Sequence, residues 1–394
     1  MNRFWNIVKS NLGTVKNISA IGIADLAGSA IAAVFWLYLA SIMIPQDYGF
    51  IHYYIAIASI TASISLLGSE NTLKVYLPKQ VKIQSTLYVI TLIASTIASL
   101  VLYFMYNKIE LIILTLAFII SNLAIAEIFG NKQFKLYSKF FILQKILLVI
   151  FAFSLYFIFG KEGVFYGLAL SFAPYLYQIC YGLRDSKVNF VLIRERLNFF
   201  LTNFAYTFSG IARGQVDKLI IAPILGLELL GNYSFALQIV AILMIFPNVI
   251  YKYTVPTDAS GKSTITVKKV TVVISTIISV IAAVLAPIII SFFFPNYILA
   301  IHAILILSFH PIPATIGLML GSKFLGMEKN RIVLIGTIIS LSVNIAGVVV
   351  LGPMIGIIGI SLAFVLSTTA NCIYYIIMNN KMNSGKSTSI INEL

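Results

Sequence analysis

Charged side chains lie inside long apolar stretches of this chain, at positions where they could bind an anion. Arg213, Asp217 and Lys218 fall in one such stretch, residues 203–225. Arg213 and Asp217 are four residues apart, so on a helix they share a face and can pair. Lys218 lies about 100° further round, and one carboxylate cannot neutralise both cations. We therefore predict an anion-binding cavity here; the alternative is a charge network that only stabilises neighbouring helices.

Two other charges complete the candidate site. Lys145, in the stretch 139–159, adds a cation to the predicted substrate-binding set of Arg213, Lys218 and Asp217. Asp25 stands among small residues, where a carboxylate could exchange a proton or bind Na⁺. We predict Asp25 as an ion-coupling residue; the alternative is pairing with a cation such as Lys145. A charge near the bilayer centre costs at least about 2.5–3.5 kcal/mol, so such residues normally face protein or a watered cavity.

Three other features of the apolar stretches concern packing rather than ligand binding. Gly210 and Gly214 keep part of the stretch 203–225 slim, which would leave space beside it. Glu127 lies near the cytoplasmic end of its stretch, and we expect its side chain to extend toward water. His310 precedes Pro311, and this pair indicates a helix bend rather than a proton carrier.

Several kinds of chemistry are not indicated. The three His residues have no metal-ligand spacing, so we predict no metal and no cofactor. The segment Gly261-Lys262-Ser263-Thr264 ends like a phosphate-binding loop, but Pro256 occupies the position of the first glycine. No ATPase domain is therefore indicated, and we predict that the protein is not an enzyme.

The elements that must position these residues are membrane-spanning helices. The chain is 60% apolar and 10% charged, with a mean hydropathy of +0.98, far outside the soluble globular range. Apolar stretches of about 20 residues can cross the hydrocarbon core, and in lipid they must be helices. The twelve predicted spans are 17–43, 48–68, 84–105, 110–129, 139–159, 163–183, 203–225, 230–250, 269–294, 298–320, 332–351 and 355–378.

Basic residues indicate the orientation. Most of the 27 Lys and Arg residues fall in alternate gaps between the spans, whereas the other gaps hold only Lys108 and Lys161. Cytoplasmic loops retain Lys and Arg, so we predict a multi-pass protein of the cell (plasma or inner) membrane with both termini cytoplasmic. The net charge of +14 is spread over short loops, which argues against nucleic acid as a partner and favours membrane lipids.

Loop length suggests the division of the chain. We predict an all-α protein with an amphipathic segment 1–16, a six-helix lobe 17–183, a cytoplasmic linker 184–202, a second six-helix lobe 203–378 and a tail 379–394. An offset of 192 residues pairs Gly160 with Gly352, and a weaker match pairs Tyr48-Gly49 with Leu230-Gly231. Two six-span halves that both begin inside would be parallel repeats.

Three matches, the first of them made of two stretches, together carry a family resemblance. They are Gln215-Val216-Asp217-Lys218-Leu219-Ile220-Ile221 followed by Leu230-Gly231-Asn232-Tyr233-Ser234, then Pro45-Gln46-Asp47-Tyr48-Gly49, then the glycine-rich Gly356–Ala363. With the twelve-span layout, they resemble the polysaccharide flippase branch of the multidrug/oligosaccharidyl-lipid/polysaccharide exporter superfamily. The resemblance implies two lobes that alternate between inward- and outward-open states. It also implies a lipid-linked oligosaccharide substrate, and Arg213 and Lys218 as candidate substrate-binding cations.

The sequence thus favours a flippase that carries an anionic lipid-linked glycan from the inner to the outer leaflet. We expect it to work as a monomer near glycan-assembly proteins, with H⁺ or Na⁺ as a candidate coupling ion. One alternative is a cation-coupled multidrug exporter of the same superfamily. Another is a membrane-embedded glycan polymerase or ligase, although the short external gaps leave no room for the sizeable outer loop of such enzymes.

Overall fold

A computed structural model describes residues 2–185, 188–259 and 264–392, which contain helices and no strand. The first helices are α1 (Asn2–Ile42), α2 (Pro45–Leu66), α3 (Ser69–Tyr76), α4 (Gln84–Tyr106), α5 (Ile109–Gly130), α6 (Phe134–Phe159), α7 (Lys161–Ser171) and α8 (Pro174–Asp185). They are followed by α9 (Val191–Arg194), α10 (Leu197–Leu225), α11 (Leu227–Leu243), α12 (Ile245–Ala259), α13 (Ile265–Phe293), α14 (Ala300–Leu307), α15 (Pro311–Gly326) and α16 (Asn330–Asn392). Residues 2–16 of the predicted amphipathic segment belong to α1, but their side chains lie outside the described part of the structure.

Within the described ranges, seven helices are long and apolar enough to cross a membrane, or nine if two bent pairs each form one span. The last of the seven, Asn330–Met382, contains two predicted spans, because α16 is broken by non-helical backbone at Ile355 and Gly356. The predicted span 163–183 is divided between α7 and α8, each too short to cross alone. The span 203–225 lies in α10, whose polar and charged residues lower its hydropathy.

Proline positions coincide with several breaks. Helices α11 and α12 meet at a bend of 49°, just before Pro247 in the sequence. Helices α14 and α15 meet at a bend of 41°, just before Pro311. Helix α8 begins at Pro174. Proline removes a backbone donor and clashes with the preceding turn, which accounts for these breaks. Pro223 and Pro287, in contrast, lie inside continuous helices.

The chain forms two compact units, whose limits fall inside α1 and α10. The first comprises Met1–Phe35 and Tyr54–Ile211, and the second comprises Trp36–Tyr53 and Ala212–Leu394. The lobe limits predicted from loop length place residues 36–53 with the first lobe, whereas their packing places them with the second unit. Loop length reports the order of the spans, but it carries no information about which helix ends pack together.

The start of α2 enters the second unit through backbone contact with α11. A Cβ atom on Gly49 would lie 1.9 Å from the carbonyl oxygen of Leu227, and one on Gly231 would lie 1.8 Å from that of Pro45. Each glycine therefore contacts, on the opposite helix, the backbone carbonyl that lies one turn before the other glycine. The pairing of Tyr48-Gly49 with Leu230-Gly231 in the sequence thus corresponds to a reciprocal helix crossing.

The predicted relation between the Gly160 region and the Gly352 region is present in the structure, but its register differs from the predicted offset of 192 residues. Gly160 and Gly356 share an unusual backbone conformation, with φ and ψ of 65° and −146° at the first and 58° and −132° at the second. These angles suit glycine and few other residues. Gly160 therefore corresponds to Gly356 rather than to Gly352. The predicted offset is wrong by one helical turn, which leaves the same helix faces aligned and so preserves much of the sequence match.

A charged clip joins three helices of the second unit at one end. The Asp258 carboxylate on α12 accepts hydrogen bonds from Lys268 Nζ of α13 at 2.6 Å and from Ser322 Oγ of α15 at 2.5 Å. Burial by itself raises the pKa of Asp258, but these bonds and the charge of Lys268 outweigh it and hold the pKa below its usual range. The clip stabilises the packing of α12, α13 and α15 while the carboxylate is ionised.

We expect Gly49→Ala to destabilise the protein, because the new methyl group would collide with backbone that cannot move aside. Overpacking of this kind costs about 1–3 kcal/mol or more. The midpoint of thermal unfolding in detergent should fall by several degrees. Gly210→Ala is the matched control, since no described atom outside its own stretch of helix lies within 4 Å of its Cβ position, and it should leave stability unchanged or slightly raised. Equal midpoints for the two variants would contradict the crossing.

We expect Asp258→Asn to destabilise the second unit by about 1.5–3 kcal/mol at neutral pH, the usual contribution of hydrogen bonds to a charged group. A carboxyl group whose pKa is lower in the folded than in the unfolded protein stabilises the fold at pH values above its unfolded pKa of about 3.9. This stabilisation is lost as the pH falls through the folded pKa. The difference from wild type in thermal unfolding should therefore be constant from about pH 6 to 8 and shrink below about pH 4. Glu195→Gln, on an exposed side chain, should change little. A difference between the Asp258→Asn variant and wild type that persists in acid would contradict the role of the charge.

Candidate functional site

Helix α10 positions three of the predicted site residues, but their pairing differs from the expected one. The Asp217 carboxylate accepts hydrogen bonds from the backbone N–H of Lys218 at 2.8 Å and from the hydroxyl of Tyr233 on α11 at 2.9 Å. Its nearest cation is Lys218, with Nζ at 3.6 Å. The expected pairing of Asp217 with Arg213 is therefore not formed, because the carboxylate turns toward α11.

Lys218 is held within its own helix. Its Nζ donates a hydrogen bond of 2.6 Å to the carbonyl oxygen of Gly214, one turn earlier. Asp217 is 1% exposed and Lys218 8% exposed. Together they form a compact, nearly neutral group, and the cation left over on α10 is Arg213.

Arg213 lines a cavity of about 240 Å³ inside the second unit. Among the described residues, Arg213 forms no ion pair or hydrogen bond. Gly210 and Gly214 on the same helix have no described atom outside their own stretch of helix within 4 Å of their Cβ positions, which agrees with the space expected beside α10. The other polar residues of the cavity wall come from α12, from the residue before α15 and from α16, and are Asn248, Tyr251, His310, Thr337, Thr368, Asn371 and Tyr375.

Two buried polar atoms of the cavity wall lack a hydrogen-bond partner among the described residues. They are His310 Nδ1 and Asn371 Oδ1. An unsatisfied buried polar atom costs about 1–3 kcal/mol, so these groups are expected to bind water or a ligand. His310 also lies at the bend before α15 and stacks on Phe364 at 4.8 Å between ring centroids. The sequence indicated the bend but not the cavity.

Asp25 lies in the first unit, between α1 and α6. It is 8% exposed and accepts a hydrogen bond of 2.7 Å from the hydroxyl of Tyr137. Tyr137, Phe141 and Lys145 follow at intervals of four residues and so line one face of α6. Phe141 stacks on Tyr137, packs against Gly28 of α1 and lies 5.2 Å below the ammonium group of Lys145.

This order of side chains keeps Asp25 and Lys145 apart. The aromatic ring of Phe141 lies between the tyrosine that binds Asp25 and the ammonium group, so the alternative pairing of Asp25 with Lys145 is not formed. Within the described part of the chain, Lys145 forms no ion pair. The sequence did not indicate Tyr137 as a partner of Asp25, although its spacing from Lys145 places both on one helix face.

Glu127 is a second buried carboxylate of the first unit, and its expected extension toward water is wrong. It is 1% exposed and accepts a hydrogen bond from the hydroxyl of Tyr88 on α4. Gly182 on α8 leaves room for it, because a Cβ atom there would lie 2.6 Å from Oε2. The expectation failed because nearness to a helix end says nothing about the elements that cover that end.

The predicted site residues thus form separate groups. Arg213 faces a cavity in the second unit, with the Asp217–Lys218 pair one turn further along α10. Asp25 and Lys145 lie on the α1–α6 face of the first unit. A group of at least three His, Cys, Asp or Glu residues that could hold a metal ion is not found in the described ranges.

Comparison with solved structures identifies the architecture. No protein-family model matches the sequence, and the search of curated proteins finds no match. A multidrug resistance MATE family transporter of the MOP superfamily, in its inward-facing conformation, matches with a TM-score of 0.69 and 15% identity over 92% of this chain and 96% of that one. The outward-facing conformation of such a transporter matches with a TM-score of 0.63 and 15% identity over 94% and 96%.

The lipid II flippase MurJ, in an inward closed conformation, matches with a TM-score of 0.68 and 13% identity over 91% of this chain and 87% of that chain. Identities this low show the fold and leave the substrate undetermined. The predicted all-α, two-lobe membrane fold is confirmed. This chain therefore has the fold that these MATE transporters share with the lipid II flippase MurJ.

Proposed function

We propose that the protein is a flippase that moves a lipid-linked oligosaccharide, carried on a polyprenyl phosphate or pyrophosphate, from the inner to the outer leaflet by alternating access. The observation that carries the proposal is the cavity in which Arg213 has no counter-charge among the described residues. A phosphate would supply that charge, and a guanidinium binds phosphate oxygens through two parallel hydrogen bonds.

The rest of the cavity wall suits the sugar part of such a substrate. Hydroxyl and amide groups of Thr337, Thr368 and Asn371 supply both donors and acceptors, which sugar hydroxyls can match. A volume of about 240 Å³ admits a phosphate and part of one sugar rather than a whole glycan. The polyprenyl chain would stay in the surrounding bilayer. Lys218 and Lys145 remain candidate contributors to substrate binding.

A multidrug exporter driven by a cation gradient is the second candidate, and the observation that suggests it is the buried carboxylate of Asp25. A buried carboxylate that accepts a hydrogen bond from a tyrosine hydroxyl can bind or release a proton or Na⁺ as its surroundings change. Coupling through Asp25 is equally compatible with a flippase, so the substrate must decide between them. The positive charge of Arg213 in the cavity disfavours cationic drugs and favours anionic substrates. A polymerase or ligase has no specific observation in its support.

We expect Arg213→Gln to reduce flipping of a fluorescent polyprenyl-phosphate glycan in proteoliposomes by about 10- to 100-fold, the loss that a charge-assisted hydrogen bond predicts. Arg213→Lys should retain part of the activity, because the charge persists without the planar geometry. The amount of folded protein in the membrane should stay normal. Arg194→Gln, on an exposed side chain, removes the same charge elsewhere and should flip at the wild-type rate.

Lys218→Gln separates two roles of the second cation. Loss of flipping with normal protein levels would support its predicted role in substrate binding, whereas loss of folded protein would support a structural role beside Asp217. Full activity of Arg213→Gln would overturn the proposal. Export of a cationic dye by wild type, without any flipping of the lipid-linked glycan, would favour the multidrug exporter.

We expect an imposed proton or Na⁺ gradient to accelerate flipping by wild-type protein but not by Asp25→Asn, because the amide keeps the size and removes the titrating charge. Tyr137→Phe removes only the hydroxyl that contacts Asp25 and should keep a gradient response, with an altered pH dependence. Gradient response is measured as the ratio of flipping rates with and without the gradient. An unchanged ratio in Asp25→Asn, or a wild type that ignores both gradients, would exclude coupling at Asp25.

A further inference from the structure

A groove on the second unit combines an apolar floor with a basic end. It lies between α13, α15 and α16, with a volume of about 770 Å³. Its apolar lining residues come from the three helices and are Ile265, Val272, Val273, Ile316, Met319, Leu320 and Ile376. Since apolar side chains such as Val273 are 58% exposed on a helix long and apolar enough to cross a membrane, we expect the groove to open toward the bilayer.

Three lysines mark one end of this groove. Lys268 and Lys269 stand at the beginning of α13, and Lys323 stands near the end of α15. The described polar lining residues are these lysines and Asn379, with no acidic residue among them. Apart from Ile265, which precedes the lysines at the start of α13, the apolar residues lie about one turn or more from this end along the helices. The groove is therefore amphipathic along its length.

Lys269 supplies the charge that is available at the basic end. Lys268 is paired with Asp258 at 2.6 Å, and Nζ of Lys323 donates to the neutral Asn379 Oδ1 at 2.6 Å. Lys269 is exposed and forms no ion pair with a described residue. Since the described lining holds three lysines and no carboxylate, an anionic headgroup would complement this end.

We propose that this groove binds an anionic phospholipid, with the phosphate at Lys269 and Lys323 and one acyl chain along the apolar floor. Basic pockets between membrane helices recognise anionic headgroups in this manner, and the alkyl chain gains from apolar contact. The site is separate from the Arg213 cavity, shares none of its lining residues and does not depend on the transported substrate. It makes an anionic lipid a stabilising ligand of the second unit.

The test measures binding of dioleoyl phosphatidylglycerol to the purified full-length protein in a neutral detergent. Native mass spectrometry counts bound lipid, and thermal unfolding reports stabilisation, which rises with ligand concentration for a ligand of the folded state. Dioleoyl phosphatidylcholine and glycerol phosphate test the charge and the acyl chain separately. We expect binding of phosphatidylglycerol well above that of either.

Four variants locate the site. Lys269→Gln should weaken phosphatidylglycerol about fivefold, and the double variant Lys269→Gln with Lys323→Gln roughly 30-fold. Val273→Trp should block the floor while the lysines remain. Val284→Trp, on an exposed residue of the same helix outside the groove, is the matched control and should bind as wild type. Because Lys269 forms no ion pair with a described residue, the single variant keeps the test valid if the double variant folds poorly.

Several results would overturn the proposal. They are equal binding of phosphatidylcholine, equal binding of glycerol phosphate, and wild-type affinity in both Lys269→Gln and Val273→Trp. Displacement of phosphatidylglycerol by a tenfold lower concentration of polyprenyl phosphate would instead assign the groove to the transported lipid. Failure of the Arg213 variants to change flipping would leave this binding result untouched.

Discussion

Helices surrounded by lipid gain little free energy by covering one another's apolar surface, since lipid tails are as apolar as leucine. Their association depends on close packing, and in this protein several glycines allow close backbone contact. Gly49 and Gly231 bring the backbones of α2 and α11 into contact, and Gly163 and Gly359 bring the carbonyls of Leu155 and Leu351 to 2.0 and 2.1 Å from where a side chain would begin. The last two contacts recur in equivalent places of the two repeats. Together these contacts fix the helix positions from which the charged residues project.

Buried carboxylates in both units are stabilised in one common way. Asp25, Glu127 and Asp217 each accept a hydrogen bond from a tyrosine hydroxyl on a different helix, the donors being Tyr137, Tyr88 and Tyr233. A tyrosine donor satisfies the carboxylate without a second full charge, so the partner cation need not be buried beside it. This leaves basic residues such as Arg213 and Lys145 uncommitted to these carboxylates, which is the electrostatic argument for the anionic substrate that we propose.

The two basic features of the second unit suit different ligands. The Arg213 cavity is small and has polar groups from several helices in its wall, so it suits a phosphate and a sugar. The groove between α13, α15 and α16 is apolar except at its lysine end, so it suits a lipid with a charged headgroup. The clip centred on Asp258 connects the two regions, because it joins α12 and α15 of the cavity wall to α13 of the groove. In the proposed flippase, the cavity would therefore hold the transported anion, and the groove would hold a lipid of the surrounding bilayer.

The sequence alone determined the all-helical membrane fold, because apolar length and basic loops follow directly from the energetics of the bilayer. It also identified Arg213 as a candidate and required one cation of α10 to stay unpaired. The tertiary structure decided that this cation is Arg213. Tyr233, on another helix, binds Asp217 and turns it away from Arg213. The tertiary structure alone decided three further points. They are the correspondence of Gly160 with Gly356, the hydrogen bond between Asp25 and Tyr137, and the burial of Glu127. Each depends on contacts between helices, and helical periodicity determines only the faces that are available for such contacts.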